Sequence, residues 1–170
     1  MVFYILFVWY EISVDLFGNA VLTLLRHREH LDRLTAEPDL IPTALEELWR
    51  YEAPMTFASP RYPLRDIDIA GTTIRAGDTV LLSVASANRD PRRFPEPDSL
   101  VLDRADNPHL SLGLGIHTCL GAPLVRREYQ IALAALLRRF PNLSLAVPAE
   151  RLRWRPGLRH RGLVTLPVTA

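Results

Sequence analysis

Apolar residues recur first at helical spacing, then alternate with polar ones, then return to helical spacing before an alternating tail. Val2 to Tyr10 is a run of nine apolar or aromatic residues, which Glu11 and Asp15 interrupt. The run is too short to span a bilayer. It also lacks the basic leader and small-residue cleavage site of a signal peptide, which leaves a membrane-surface or partner-binding helix open. Leu16 to His27 is apolar almost all round, as in a helix buried on several sides. A shorter helix is expected over Arg28 to Ala36, ended by Pro38 because the residue before a proline is pushed out of the helical region. Ile41, Leu45, Leu48 and Trp49 set a helical face over Pro42 to Tyr51, closed by Pro54.

Beyond Pro54 the period shortens. Arg61 to Leu64, Asp66 to Ile69, Thr72 to Ile74 and Thr79 to Leu82 alternate or are β-branched, with Gly71 and Ala76-Gly77-Asp78 between them, predicting a small antiparallel sheet. Ser83 to Asn88 is expected as a short helix leading into Ala87-Asn88-Arg89-Asp90-Pro91. Helical spacing returns at Ala122 to Phe140, with Val125, Tyr129, Leu133, Leu136 and Phe140 on one face. Three short strands are expected over Asn142 to Val147, Leu152 to Arg155 and Leu163 to Val168. The fold class is thus α+β, mainly α with small β-sheets, in one domain over 1–170: helices over 1–53, sheet and loops over 54–108, a cysteine loop and helix over 109–140, terminal strands over 141–170.

With 170 residues, 48% of them hydrophobic and 23% charged, the chain can bury one sizeable core or two small ones. Twenty basic against nineteen acidic residues leave a net charge of +1, and no basic run marks a nucleic-acid footprint. A single cysteine excludes an internal disulfide, argues against a structural zinc site and fits a reducing cytoplasm. Fourteen prolines, many between residues 38 and 97, imply long ordered loops.

The candidate chemistry lies in Pro108 to Gly121, which holds that cysteine, Cys119. Gly113, Gly115 and Gly121 let the backbone fold tightly against something flat. Cys119 stands at the head of a helix, where free N–H groups and the macrodipole stabilise an anion, and a thiolate is the form that binds metal. A lone cysteine also occurs as a small buried hydrophobe, and the neighbours decide between the two. Gly-x-Gly-x-His-x-Cys-x-Gly ahead of an amphipathic helix resembles the haem-ligating loop of the cytochrome P450 family, whose cysteine thiolate is the proximal iron ligand. Gly113, Gly115, His117, Cys119 and Gly121 match it, while Leu112 stands where the family usually has a phenylalanine beside the sulfur.

The resemblance implies haem b (iron protoporphyrin IX) as cofactor and runs from about Glu11 to Ala170, the C-terminal portion of the P450 fold from the distal helix to the final hairpin. Aligned through Leu16 to His27, the distal helix has Val8, Trp9, Tyr10, Glu11, Ile12 and Ser13 where the family has a small residue, glycine, any residue, an acid, threonine and a second hydroxyl. Glu11 and Ser13 are the remaining candidates for a proton relay, or else an ordinary solvated acid and helix hydroxyl. Ile12 cannot donate a proton, and Trp9 places an indole where glycine leaves a groove for dioxygen. Glu47 and Arg50, three apart on a helix, together with Arg104 resemble the family's buried ion network behind the cysteine loop, a structural role. Arg61, ten residues before Gly71, and His117 match contacts to the haem propionates; alone, Arg61 reads as a solvated strand charge.

Family members carry well over this length again upstream, so the expectation is a C-terminal piece of a soluble bacterial-type enzyme, either truncated or half of a split pair. Three readings stand open. One is a haem-thiolate monooxygenase that takes electrons from a ferredoxin or flavodoxin and oxygenates a small organic substrate. The others are a non-catalytic haem-binding fragment and a haemless remnant or interaction domain.

Overall fold

A computed structural model describes residues 2–170. The opening apolar run and the buried helix that follows form one element, α1, Val2–Arg26. Glu11 and Asp15 do not break it, since acids have no backbone clash with a helix interior and Asp15 is buried in an ion pair with Arg155. The two halves of α1 have different surroundings. Leu16, Ala20, Val21, Leu22 and Leu24 are buried, whereas Phe3, Leu6, Phe7, Tyr10 and Val14 form an exposed apolar stripe at three- and four-residue steps. Among the described residues, no helix is long and apolar enough to cross a membrane.

His27 turns the chain into α2, Arg28–Ala36, and a single 3₁₀ turn at Pro38–Leu40 leads into α3, Ile41–Tyr51. The core joins α1 to Leu31 and Leu34 of α2, and to Ile41, Ala44, Leu45, Leu48 and Trp49 of α3. It is completed by the long C-terminal helix, whose Val125, Tyr129, Leu133 and Leu137 point inward. Leu136 and Phe140, expected on that face, are only half-buried, because the inward stripe advances in steps of four and the helix ends at Arg139.

The strands are shorter than the alternation suggests. Ile67–Ile69 (β1) pairs antiparallel with Thr72–Ile74 (β2), Ile67 opposite Ile74. The expected flanking strands reduce to single bridges, Arg61 with Val80 and Phe57 with Ser83. Pro60 and Pro63 lack the N–H groups that a longer ladder needs. Ser83 caps the short helix α4, Val84–Ala87, by accepting the Ser86 N–H at 3.2 Å. After α5, Ala122–Arg139, the tail pairs Ser144–Leu145 (β3) with Val168–Thr169 (β4). Trp154 and Leu163 meet in a lone bridge where longer strands were expected, since Pro148, Pro156 and Pro167 interrupt this stretch.

Between α3 and the loop before the cysteine lies a buried ion network. Glu47 accepts from Arg50 Nε at 2.8 Å and Nη2 at 2.9 Å, from Arg104 Nε at 3.0 Å, from Asn107 Nδ2 at 3.1 Å and from the Val101 N–H at 2.9 Å. Arg50 spends its remaining donors on the carbonyls of Asn88, Pro97 and Ser99, so all five of its N–H groups are satisfied. Glu47 is fully buried and Arg50 nearly so. Removing one member strands a buried charge, so Glu47→Gln or Arg50→Met should each cost about 3–5 kcal/mol, and the double variant less than their sum. Urea unfolding of the singles and the double tests this; additive losses under about 1 kcal/mol would mean that the charges act independently.

Candidate functional site: a thiol presented by a glycine loop

Asn88, fully buried after α4, anchors the start of the loop. Its Oδ1 accepts the Leu110 N–H at 2.8 Å and its Nδ2 donates to Ser111 Oγ at 2.8 Å, while that hydroxyl donates to the Trp49 carbonyl at 2.7 Å. The Cys119 N–H donates to the Leu112 carbonyl at 2.8 Å and closes the loop. Inside it, Gly115–His117 makes one 3₁₀ turn, and Gly113 has φ +77°, where an added Cβ would collide with the His117 carbonyl. The Ala122 N–H then bonds to the Cys119 carbonyl at 3.1 Å and α5 begins. The backbone of the loop is thus fixed on the protein side while its outer face carries the cysteine.

On that outer face Cys119 is exposed. Around it, Leu114, Ile116, Leu120 and Leu124 are 72%, 97%, 98% and 60% exposed, an apolar surface around a free thiol. Leu112 is turned inward against the core, and His117 is exposed. Trp9 of α1 reaches the same face: a Cβ on Gly121 would lie 2.8 Å from its Cζ3 and 3.8 Å from Cys119 Sγ, so only glycine lets indole and thiol flank that position. Ile12 and Ser13 are half-buried, and the Ser13 carbonyl accepts the Tyr129 hydroxyl, which burial pushes up to about 12 and so keeps protonated.

Glu11 and Arg61 take no part in the hydrogen bonds that hold the cysteine loop. Glu11 borders an open cavity of about 660 Å³ lined also by Pro60, Thr79, Leu81, Arg159 and His160. Arg159 Nε and His160 Nε2 are buried without a hydrogen-bond partner, donors suited to an anionic group. Arg61 Nη1 donates to the carbonyls of Ser59 at 3.0 Å and Pro60 at 3.3 Å, and its backbone bridges Val80. No carboxylate partner for Arg61 occurs among the described residues.

A second cluster supports the loop and was not legible from residue spacing. Ser111 N–H donates to His109 Nδ1 at 3.2 Å, so the ring proton sits on Nε2, which donates to Glu46 Oε2 at 3.1 Å. Arg126 of α5 grips the same carboxylate through Nε at 2.7 Å and Nη2 at 2.9 Å. Burial raises the Glu46 carboxyl, but the hydrogen bonds from His109 and Arg126 and the charge on Arg126 outweigh it and hold it down to about 2. No local pattern in the sequence marks these three residues, since 63 and 80 positions separate His109 and Arg126 from Glu46. Asn88 had been visible only as part of Ala87-Asn88-Arg89-Asp90-Pro91.

A long helix lies beside a loop that presents an exposed cysteine at the head of α5, with a buried Glu-Arg-Arg network behind it. The model of the family described as cytochrome P450 matches residues 20–152, and the chain belongs to the cytochrome P450 family. The polyketide biosynthesis cytochrome P450 PksS of Bacillus subtilis is 42% identical over 99% of this chain and 42% of its own length. The cytochrome P450 monooxygenase PikC of Streptomyces venezuelae is 45% identical over 94% of this chain and 38% of its own length. The solved structure of PksS superposes with a TM-score of 0.95 at 42% identity, covering 99% of this chain and 43% of that one. The chain therefore spans about two-fifths of the length of these relatives. Proteins of the family bind haem b.

Glu46 gives a pH signature. A carboxyl lowered from 4.5 to about 2 contributes stability that is complete above its unfolded value and is lost as pH falls through the folded one. The gap in urea midpoint between the wild type and Glu46→Gln should be widest above pH 4.5 and should close toward pH 2. A gap that stays constant across that window would show that the carboxyl is not held by His109 and Arg126.

Proposed function

We propose that this chain is the thiolate-bearing part of a haem b monooxygenase. The observation that carries this is Cys119, exposed at the centre of an apolar face on a loop pinned from behind. The residues fit the group: a soft thiolate donor suits iron, the glycines keep the loop low, and the exposed leucines and isoleucine suit a flat apolar ring. When bound, haem would supply an iron centre for splitting dioxygen with two electrons and two protons, one oxygen atom entering the substrate and the other leaving as water. Cys119 would hold the iron. Gly113 and Gly121 shape the loop, Leu112 packs beside it, and Arg61 and His117 would take the propionates. Glu47, Arg50 and Arg104 keep the loop's base rigid.

The substrate class is a small organic molecule, and the electrons come from a ferredoxin or flavodoxin in the cytoplasm. The exposed apolar stripe of α1 and the open face around Cys119 support a second body of polypeptide over them, the part of the haem pocket that longer relatives have beyond the span of this chain. Trp9 against Gly121 and Ile12 at the relay position favour a second reading for the chain alone: a haem-binding part that does not turn over efficiently. Glu11 and Ser13 are then the groups left to move a proton, and loss of a positioned acid typically removes about 10²–10⁴ in rate.

The test is the reduced carbon monoxide difference spectrum of the chain reconstituted with haem, alongside Cys119→Ala. A thiolate-type band lost in Cys119→Ala is expected; its survival in that variant would overturn the assignment. Supplied with a ferredoxin couple and substrates, the chain should give product only when mixed with an N-terminal half from a relative, and more with Trp9→Gly/Ile12→Thr. Robust turnover by the unmodified chain alone would refute the second reading.

A further inference from the structure

We propose that His27, Glu29 and His30 form a binding site for a divalent transition-metal ion at the corner between α1 and α2. His27 Nδ1 lies 3.6 Å from Glu29 Oε1, and His30 Nε2 lies 4.0 Å from the same oxygen. All three ligand atoms fall within 4.8 Å of one another. A zinc ion with bonds of about 2.0–2.2 Å spaces tetrahedral ligands about 3.3–3.5 Å apart, so small movements of the side-chain ends close this cluster on an ion.

Local structure supplies the preorganisation. His27 is the N-cap of α2, with φ −125° and ψ 72°, yet its side chain makes no capping hydrogen bond. Instead the ring stands edge-on to Tyr51, with centroids 6.0 Å apart, and 5.9 Å from the His30 ring. Glu29 and His30 lie in the first turn of α2, so all three donors come from four consecutive residues whose backbone is already ordered. The neighbouring cation Arg28 is engaged by Asp32 at 2.8 Å and by the carbonyls of Pro141 and Leu143, which keeps it out of the cluster.

The donor set selects the ion. Two imidazoles and one carboxylate suit zinc, nickel or copper, whereas magnesium and calcium prefer oxygen alone. No thiol is needed, so the single cysteine is left to the loop. The site is also remote from it: Arg26 is seventeen residues beyond Trp9, about 25 Å along α1. An ion here would clamp the cap and first turn of α2, at the opposite end of α1 from the thiol.

The experiment uses the full chain, dialysed against a chelator and titrated with Zn²⁺ in competition with a chromophoric indicator, together with His27→Ala, His30→Ala, Glu29→Gln and Cys119→Ser. One equivalent is expected in the wild type and in Cys119→Ser, with affinity falling at least tenfold in each histidine variant. The melting temperature should rise by about 5–10 °C at a hundredfold excess of Zn²⁺ over Kd. Protection of His27 and His30 from diethyl pyrocarbonate by Zn²⁺ gives a readout in the wild type that needs no variant. The proposal is overturned by absence of the equivalent at micromolar Zn²⁺, by binding that survives His27→Ala/His30→Ala, or by binding lost in Cys119→Ser.

Discussion

The structure depends on one carboxylate. Glu47 sits at the centre of the molecule with two guanidinium groups, an amide and a backbone N–H on its two oxygens. It belongs to α3, but three of its partners, Val101, Arg104 and Asn107, come from the loop that runs toward the cysteine. A segment with almost no secondary structure is thereby held as firmly as a helix. Apolar contacts alone could not do this, because the loop from Arg89 to Asn107 has many backbone groups and few strands to satisfy them. Arg50 resolves that by capping the carbonyls of Asn88, Pro97 and Ser99 from within the core.

Rigidity then passes from this network to the thiol through short polar links. Asn88 gives its carbonyl to Arg50 and its side chain to Leu110 and Ser111. Two residues earlier than Ser111, His109 connects to Glu46, the neighbour of Glu47, and Glu46 connects to Arg126 on α5. Adjacent acids on α3 therefore have different tasks: Glu47 holds the approach to the loop, and Glu46 joins the loop to the helix that follows it. The thiol stands on a frame braced at both ends, while its own side faces outward.

What was legible in the sequence divides along physical lines. The helices could be read because each has an apolar face and a proline or cap at its end, as at Pro38 and Pro54. Glu47, Arg50 and Cys119 could be found because each belongs to a short local pattern. The strands around Arg61 and Leu163 were overestimated, since alternation is cheap and the prolines beside it set the pairing. His109, Glu46 and Arg126 were missed because their relation is made by folding: 63 and 80 residues separate the pairs. Asp15 interrupts the apolar run in the sequence, and its burial inside α1 is explained only by Arg155, from the far end of the chain, beside it.

That pair also bears on how the two faces of the site meet. Asp15 lies two residues after Ser13 and is buried with Arg155, while the Ser13 carbonyl takes the hydroxyl of Tyr129. Tail, α1 and α5 are thus locked together a single turn away from Trp9 and Ile12. The backbone of α1 has little freedom to withdraw there, so the side chain that closes over Gly121 is the indole of Trp9. An indole fills such a space with apolar surface and offers no hydroxyl. The cysteine loop is thus braced from behind, whereas α1, locked to the tail and to α5, turns an indole onto the same face.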